Sequence, residues 1–211
     1  MAKKTVFMIR HGETPGNAEK RYIGCRTDEG LSAEGVARAA RFYGAHPNLP
    51  GRSGTFRVCT SPMRRAAETA EILFPPDRRE GSLIVRISDL REIDFGDFEG
   101  KTHGELLGSP AYQDWLNTGG TTPIPGAERR EDFIDRSFRG FHEALGDARK
   151  EETIAVVCHG GNIMAVMSRL TGGEYYSFLT GNLGGYCLEL EADDENLSVL
   201  SYHRIDGGDP A

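Results

Sequence analysis

The stretch "TVFMIRHGETPGN" covers residues 5–17 and joins an apolar run to a cationic and a titratable side chain. The four apolar residues from Val6 to Ile9 are typical of a buried β-strand. Arg10 and His11 follow at once, and Thr14 then offers a side-chain oxygen that can cap a helix beginning with a proline. The stretch therefore predicts a strand, a polar turn and a helix in immediate succession.

Short β-rich runs alternate with helical patterns along the rest of the chain. Further strands are predicted at residues 56–60, 83–87, 153–158, 186–192 and 197–204. Helices are predicted from Thr14, over 32–42, from Ser61 and Pro62 to about 74, over 128–145 and over 162–170. This alternation indicates an α/β fold, a three-layer sandwich with a mostly parallel central sheet and helices on both faces. The last two strands alternate more strictly, as edge or antiparallel strands do, and we expect residues 1–211 to form one domain.

The charge balance limits the classes of partner. The chain has 32 acidic and 25 basic side chains, a formal charge of −7. This argues against non-specific binding to nucleic acid or to an anionic membrane, so positive charge for an anionic ligand must be local. The apolar run after the basic start is shorter than that of a secretory signal, and no stretch is long enough to span a membrane. We expect a cytoplasmic protein.

The cysteines and histidines do not suggest a metal site. Four cysteines, at 25, 59, 158 and 187, lack CxxC spacing, and most lie in or beside strand-like runs, as buried thiols do. Cys158 adjoins His159 and could make that position sensitive to oxidation. Neither HExxH nor a Cys/His ligand pattern is present, so we predict no metal and no cofactor. The oligomeric state is left open, with a homodimer as one alternative.

Polar side chains follow three of the predicted strands. Arg10 and His11 end the first, Ser61 and Arg65 follow the second, and His159 ends the strand at 153–158. Ligands of open α/β sheets bind beyond the carboxyl ends of the strands, where helix N-termini offer unpaired N–H groups. We therefore expect two arginines and two histidines to meet at one edge of the sheet.

This combination of residues suits a phosphoryl group. Two guanidinium groups can hold phosphoryl oxygens in a bidentate manner, and a neutral imidazole can attack phosphorus to form a phosphohistidine. Nearby arginines favour the neutral imidazole through like-charge repulsion. Neither GxGxxG nor GxxxxGK[ST] follows a strand, which argues against a dinucleotide or Walker-type site.

Four motifs in this order resemble those of the histidine phosphatase superfamily, also called phosphoglycerate mutase-like. They are "RHGET" at 10–14, "SPMRRAAETA" at 61–70, "LREIDFGDFEG" at 90–100 and "CHGG" at 158–161. The similarity covers nearly the whole chain. It implies the same α/β fold and an enzyme that transfers or hydrolyses phosphate.

The resemblance implies a role for each matching residue. His11 would be the nucleophile, and Glu92 would protonate the leaving oxygen and then accept a proton from water or an alcohol. Glu92 would need a raised pKa to hold that proton at neutral pH. The phosphate pocket would consist of Arg10, Arg65, His159, Asn17 and Gly160, together with the backbone near Gly12.

The segment after the acid motif bears on the choice within the family. Residues 99–128 are shorter than the corresponding mutase segment, which favours a phosphatase acting on a small phosphorylated metabolite. Residues 20–35 resemble the substrate-side loop of small bacterial phosphatases, including alpha-ribazole phosphatases, and place Arg21 near the far side of the substrate. Arg129 stands where many members have serine. Two alternatives stay open: a phosphoglycerate mutase primed by 2,3-bisphosphoglycerate, and a weakly active phosphate-binding regulatory module.

Overall fold

A single six-stranded sheet runs through the described part of the chain. The computed structural model describes residues 2–50, 56–79, 83–147, 150, 152–193 and 196–208. The strands are β1 (Ala2–Arg10), β2 (Arg57–Thr60), β3 (Val85–Arg86), β4 (Glu152–Cys158), β5 (Gly185–Ala192) and β6 (Leu197–Ile205). Their order across the sheet is β3-β2-β4-β1-β5-β6, so β4 and β1 lie at its centre.

The first four strands are mutually parallel, as the sequence predicts. β4 pairs with β1 on one side and with β2 on the other, and β2 pairs with β3. β5 is antiparallel to β1, and β6 is antiparallel to β5 at the sheet edge, which confirms the expectation for the two final strands. The strand predicted at 83–87 is shorter than expected and comprises only Val85–Arg86. Ile87 still donates to the carbonyl of Thr60 (2.9 Å), and a 3-10 turn begins at Ser88.

Helices cover both faces of this sheet. The α-helices are α1 (Pro15–Ala18), α2 (Ala33–Ala45), α3 (Arg64–Leu73), α4 (His103–Leu106), α5 (Pro110–Asn117), α6 (Arg130–Leu145) and α7 (Gly160–Thr171). Three 3-10 turns lie at Ser88–Leu90, Gly96–Phe98 and Tyr175–Phe178. The sequence predicts α1, α2, α3, α6 and α7 with shifted ends, but it does not predict α4 and α5.

Alternate residues of β1 show how the layers pack. Val6 and Met8 point into a core formed with α6 and α7. Phe7 and Ile9 point to the opposite face, into a core formed with α2 and α3. Because side chains of a strand alternate between faces, an apolar run such as Val6 to Ile9 is stable only where both faces are covered. The predicted three-layer sandwich is confirmed.

One of the predicted helix starts is confirmed and two are wrong. Thr14 caps α1 as expected, since its hydroxyl accepts from the N–H of Asn17 (3.2 Å). Ser61 does not cap α3: its hydroxyl accepts from Met63 N (3.2 Å) within a tight turn, and the helix begins only at Arg64. The second error concerns "HGG", where the two glycines form the first turn of α7 rather than a loop before it.

A third apolar cluster lies outside the two cores. Phe98, Leu106 and Tyr112 are buried in it, and four partly buried side chains pack around them, namely Tyr22, Phe95, Trp115 and Ile124. We call these seven residues the aromatic cap. α4 and α5 supply three of its members, so both short helices are held by packing within the cap rather than by their own length.

None of the helices in the described ranges is both long enough and apolar enough to cross a membrane.

Gly185, the first residue of β5, gives a test of the fold. A β-carbon at Gly185 would overlap the carbonyl oxygen of Met8, whereas one at Gly44, on the exposed side of α2, would meet nothing. We expect Gly185→Ala to lower the free energy of unfolding by about 1–3 kcal/mol, as overpacking does. Gly44→Ala should raise it by about 0.5–1 kcal/mol through helix propensity. Urea denaturation measures both, and equal effects of the two variants would contradict this packing of β5 on β1.

Candidate active site

The predicted strand ends do meet at the centre of the sheet. In the parallel pairing, Arg10 lies opposite Cys158, so the residues that follow, His11 and His159, lie side by side. Their ring centroids are 5.1 Å apart and the rings are inclined by 65°. Ser61 follows the neighbouring strand β2, and its hydroxyl oxygen lies 2.7 Å from Nε2 of His159.

The hydrogen bonds of His11 fix its tautomer. Nδ1 lies 2.7 Å from the carbonyl oxygen of Gly12. Because a carbonyl can only accept, Nδ1 carries the ring hydrogen and Nε2 of the neutral ring keeps its lone pair. His11 is only 3% exposed, and burial together with the charges of Arg65 and Arg10 lowers its pKa well below the usual range. The ring is therefore neutral at physiological pH.

His159 can offer a donor instead. It is fully buried, and burial followed by the charge of Arg65 lowers its pKa well below the usual range. The Ser61 hydroxyl accepts from Met63 N and can still either donate to or accept from Nε2 of His159, so this contact allows either neutral tautomer. Nδ1 is buried and has no partner among the described residues, so a ring hydrogen on Nδ1 would be available to a ligand.

The two arginines are held by main-chain carbonyls. Arg65 is 1% exposed, and its Nη1 and Nη2 donate to the carbonyls of Thr27 (2.9 Å) and Gly24 (3.1 Å). Its Nε is buried and meets no acceptor in the described ranges. Nη1 of Arg10 donates to the carbonyl of Thr180 (2.6 Å). Carbonyl partners orient a guanidinium without neutralising its charge, so that charge can act on an anion.

Glu92 lies against the start of α7. One carboxyl oxygen accepts from Ile93 N (2.9 Å) and the other from Gly161 N (3.4 Å). Burial raises the pKa of Glu92, although these bonds and the charges of Arg65 and Arg10 act in the opposite direction. The carboxyl group therefore holds its proton to higher pH than an exposed glutamate, as a general acid requires.

Gly161 makes room for this carboxyl group. A β-carbon at position 161 would overlap a carboxyl oxygen of Glu92 and lie 2.9 Å from the ring of Phe133. At Gly160, by contrast, a β-carbon would make only ordinary contacts, 3.6 Å from Nε of Arg10. Gly160 is the first residue of α7 and thus contributes a backbone N–H of the helix terminus.

Asn17 is bound to a second asparagine that the sequence analysis missed. Nδ2 of Asn182 donates to Oδ1 of Asn17 (3.1 Å) and to the carbonyl of His11 (3.0 Å). Because Oδ1 of Asn17 is used as an acceptor, its amide group remains as a donor for a ligand. Asn182 lies in a glycine-rich loop that matches no motif, so no pattern in the sequence points to it.

A cleft of about 440 Å³ opens beside these residues. Its lining includes five of the predicted site residues, Arg10, Asn17, Arg21, Glu92 and Gly160. The other three, His11, Arg65 and His159, are almost completely buried and do not form part of the lining. The structure thus brings part of the predicted phosphate pocket to one cleft and buries His11, Arg65 and His159 behind its surface.

Arg21 lies on the wall of the cleft and is engaged within the chain. Its guanidinium pairs with Glu19 (2.6 Å) and Glu105 (3.1 Å) and donates to the carbonyl of Gly100 (2.8 Å).

Among the described residues no cluster of three or more His, Cys, Asp or Glu side chains is arranged to hold a metal ion.

Comparison with known proteins identifies the family. Residues 6–202 match the model of the Histidine phosphatase superfamily (branch 1). The chain belongs to the histidine phosphatase superfamily. It is 31% identical to the uncharacterized phosphatase PhoE of Bacillus subtilis over 94% of this chain and 93% of that protein. It is also 31% identical to the adenosylcobalamin/alpha-ribazole phosphatase of Escherichia coli (strain K12), over 79% of each.

A solved structure agrees with this assignment. That of Bacillus stearothermophilus YhfR superposes with a TM-score of 0.74 at 27% identity, covering 93% of this chain and 95% of the other. The chain is therefore a histidine-type phosphatase, with the resemblance predicted from its four motifs confirmed.

A buried arginine of this phosphatase holds the segment that carries Glu92. Nε and Nη2 of Arg136, on α6, bind both carboxylate oxygens of Glu128 (2.6 and 2.7 Å). Nη1 and Nη2 donate to the carbonyls of Asp89 (2.9 Å), Arg91 (2.6 Å) and Glu92 (3.0 Å). All the donor directions of one guanidinium are thus used to fix the backbone before the acid.

Removing this guanidinium should affect both stability and activity. Arg136→Met leaves the Glu128 carboxylate and three carbonyls without their donor, so we expect the free energy of unfolding to fall by about 3–5 kcal/mol. We expect kcat to fall as well, because Glu92 loses its positioning. Urea denaturation and steady-state kinetics measure the two effects.

Arg139 on the same helix provides the matched control. Its side chain is 65% exposed and, within the described residues, pairs only with the side chain of Asp89 (3.1 Å). Arg139→Met should change the free energy of unfolding by less than about 1 kcal/mol. If the two variants behaved alike, Arg136 would have no special part in holding Glu92.

Proposed function

We propose that this protein is a phosphomonoesterase that hydrolyses a small phosphorylated metabolite through a phosphohistidine on His11. The observation that carries the proposal is the state of that ring. It is neutral, its Nδ1 is bound to a carbonyl, its centroid lies 5.1 Å from that of a second buried histidine, and the charges of two arginines act on it. Such an imidazole is an activated nucleophile for phosphorus.

In the first step, Nε2 of His11 attacks phosphorus and forms a P–N bond. The P–O bond to the alcohol breaks, its electron pair stays on the leaving oxygen, and the protonated carboxyl of Glu92 supplies the proton. An alkoxide is a poor leaving group, so this proton transfer is worth about 10² to 10⁴ in rate. The raised pKa of Glu92 supports the role, because the proton is retained toward neutral pH.

In the second step, Glu92 acts as a base. Its carboxylate takes a proton from water, the water oxygen bonds to phosphorus, and the P–N bond breaks. The electron pair returns to Nε2, inorganic phosphate is released, and Glu92 is again protonated. Both the acid and the nucleophile are thereby restored for the next turnover.

The remaining site residues would hold the phosphoryl oxygens. Arg10 and Arg65 supply positive charge, His159 supplies its Nδ1–H and Asn17 its amide group, and the N–H of Gly160 completes the cradle at the helix terminus. Arg21 would contact the far side of the substrate from the cleft wall. A group of donors held in place before the substrate arrives needs no rearrangement as charge develops in the transition state.

We also propose that the enzyme works in the cytoplasm as one domain. The four cysteines, at 25, 59, 158 and 187, are all free thiols, which is typical of a reducing compartment. The described strands form one sheet, with both of its faces covered by helices of the same chain.

The decisive experiment measures free phosphate from a panel of phosphorylated metabolites. We expect the wild type to release phosphate and His11→Ala to lose the activity by several orders of magnitude, because the intermediate can no longer form. His203→Ala, an exposed histidine on β6, serves as the control and should retain full activity. Undiminished release by His11→Ala would refute the phosphohistidine. Transfer of phosphate between hydroxyls of phosphoglycerate without net release would identify a mutase instead.

If Glu92 donates the proton to the leaving oxygen, Glu92→Gln should release a burst of alcohol from an ester whose leaving group needs no proton. In Glu92→Gln, 4-nitrophenyl phosphate should still phosphorylate His11, because nitrophenolate leaves without a proton, but hydrolysis of the intermediate should be slow. Rapid-mixing absorbance should then show a burst on the order of one nitrophenol per chain followed by a slow phase.

The pH profile provides a second readout of the same variant. Because the raised pKa favours the protonated carboxyl, wild-type activity on alkyl esters should be present below the folded-state pKa of Glu92 and fall as pH rises through it. Glu92→Gln should lack this alkaline limb. An unchanged profile and no burst would rule out Glu92 as the acid.

A further inference from the structure

The aromatic cap has two layers that differ in exposure. Phe98 and Tyr112 are buried at its centre, 2% and 0% exposed. Tyr22, Phe95 and Trp115 are only partly buried and line the cleft, and the ring of Tyr22 meets those of Phe95 and Trp115 edge to face. The inner layer accounts for the stability of the cap, whereas the outer layer presents apolar surface to the space beside the phosphate pocket.

The hydroxyl of Tyr22 is turned into the cap. It lies 2.8 Å from the hydroxyl of Tyr112, which in turn lies 2.7 Å from Nδ1 of His103. Burial and the hydrogen bond with Tyr112 raise the pKa of Tyr22, so the phenol stays neutral. The polar atom is thus satisfied inside the protein, and the ring of Tyr22 is the part available to a ligand.

Further apolar side chains of the cleft come from a different part of the chain. Met164 on α7 and Tyr175, Tyr176 and Leu179 near the third 3-10 turn all line it. Tyr176 and Leu179 are 44% and 52% exposed, which is unusual for large apolar side chains unless a ligand or partner covers them.

The charged side chains of the cleft beyond the phosphate pocket are already engaged. Arg21 pairs with two glutamates, as described above, and Glu128 is bound on both oxygens by Arg136. The guanidinium of Arg130 stacks on the rings of Tyr175 (4.2 Å) and Tyr176 (5.2 Å). Arg129 and Glu131 also line the cleft, and their charged groups lie 3.8 Å apart. A substrate carboxylate would have to compete with the glutamates that pair with Arg21 and Arg129, whereas an uncharged ring would not.

From these contacts we propose that the alcohol part of the substrate carries a flat, uncharged aromatic group, which binds against Tyr22, Phe95, Trp115 and Tyr176. The inference rests on the proposed function, because hydrolysis at His11 fixes one end of the substrate at the base of the cleft. A cleft of about 440 Å³ is large enough for such a group beside the phosphoryl group. Aromatic rings favour offset-stacked or edge-to-face contacts with one another, which this lining provides.

The first test compares esters whose leaving oxygens are alike. We expect kcat/KM for 2-phenylethyl phosphate to exceed that for ethyl phosphate and 2-carboxyethyl phosphate by about tenfold or more, because the ring buries additional apolar area. The value for 2-cyclohexylethyl phosphate should lie between, since that ring is apolar but not flat. Equal values for all four esters would overturn the inference and leave the proposed function standing. Phosphate release from none of them would overturn the proposed function itself.

The second test measures binding without turnover. Trp115 is the only tryptophan of the sequence, so intrinsic fluorescence reports directly on the cleft. Titration with 3-phenylpropylphosphonate should change the emission and give about tenfold tighter binding than propylphosphonate, which engages the phosphate pocket alone. Equal affinities for the two phosphonates would contradict the aromatic subsite whether or not the enzyme is active.

Variants separate the subsite from general effects on folding. Tyr176→Ala removes an exposed ring and should reduce the selectivity for 2-phenylethyl over ethyl phosphate by about threefold or more, as should Trp115→Ala. Leu116→Ala, the neighbouring residue on α5, is 40% exposed and does not line the cleft, so it should keep the wild-type ratio. Unchanged selectivity in folded Tyr176→Ala and Trp115→Ala would overturn the inference.

Discussion

The parallel pairing of β4 with β1 on one side and with β2 on the other is the constraint on which the site depends. Neighbouring strands lie about 4.8 Å apart, so residues that follow adjacent strand ends are brought within contact distance by the sheet itself. This register places His11 beside His159, with ring centroids 5.1 Å apart, and puts Ser61 next to them. The helices, loops and cap then add the cations, the acid and the cleft around a pair of imidazoles that the sheet has already fixed.

Burial is the main cause of the shifted pKa values of the two histidines and of Glu92. Exclusion of water lowers the pKa values of both histidines and raises that of Glu92, so that each departs from its solution behaviour in the direction that the proposed mechanism requires. Arg65 opposes the charging of the histidines and is itself held by two carbonyls. A chain with a net charge of −7 thus keeps a local positive site by orienting guanidinium groups with neutral partners.

Much of this arrangement could be predicted from the sequence, for a clear reason. The run from Val6 to Ile9 and the run at 153–158 are apolar on both faces, which indicates central parallel strands, and parallel strands bring their following residues to one edge. The contacts of Ser61 and Arg136 could not be predicted in this way. Ser61 has the local signature of a helix cap but binds a histidine almost a hundred residues away in the chain, and Arg136 meets main-chain carbonyls, which every residue carries.

The aromatic cap was missed for a related reason. α4 has four residues and α5 has eight, too few for a marked periodic pattern, and their packing joins side chains from Tyr22 to Ile124. Periodicity detects helices and strands whose apolar residues recur at short intervals in the sequence. The cap instead joins side chains that are far apart in the sequence.

The missing side chain of Gly161 has a consequence for how this family could diversify. A single methyl group there would overlap one carboxyl oxygen of Glu92 and crowd the ring of Phe133. Glycine and alanine codons differ by one base. Under the proposed mechanism, one mutational step would therefore displace the proton donor without replacing any side chain that is proposed to bind phosphate, and it leads through a position that bears no functional group at all.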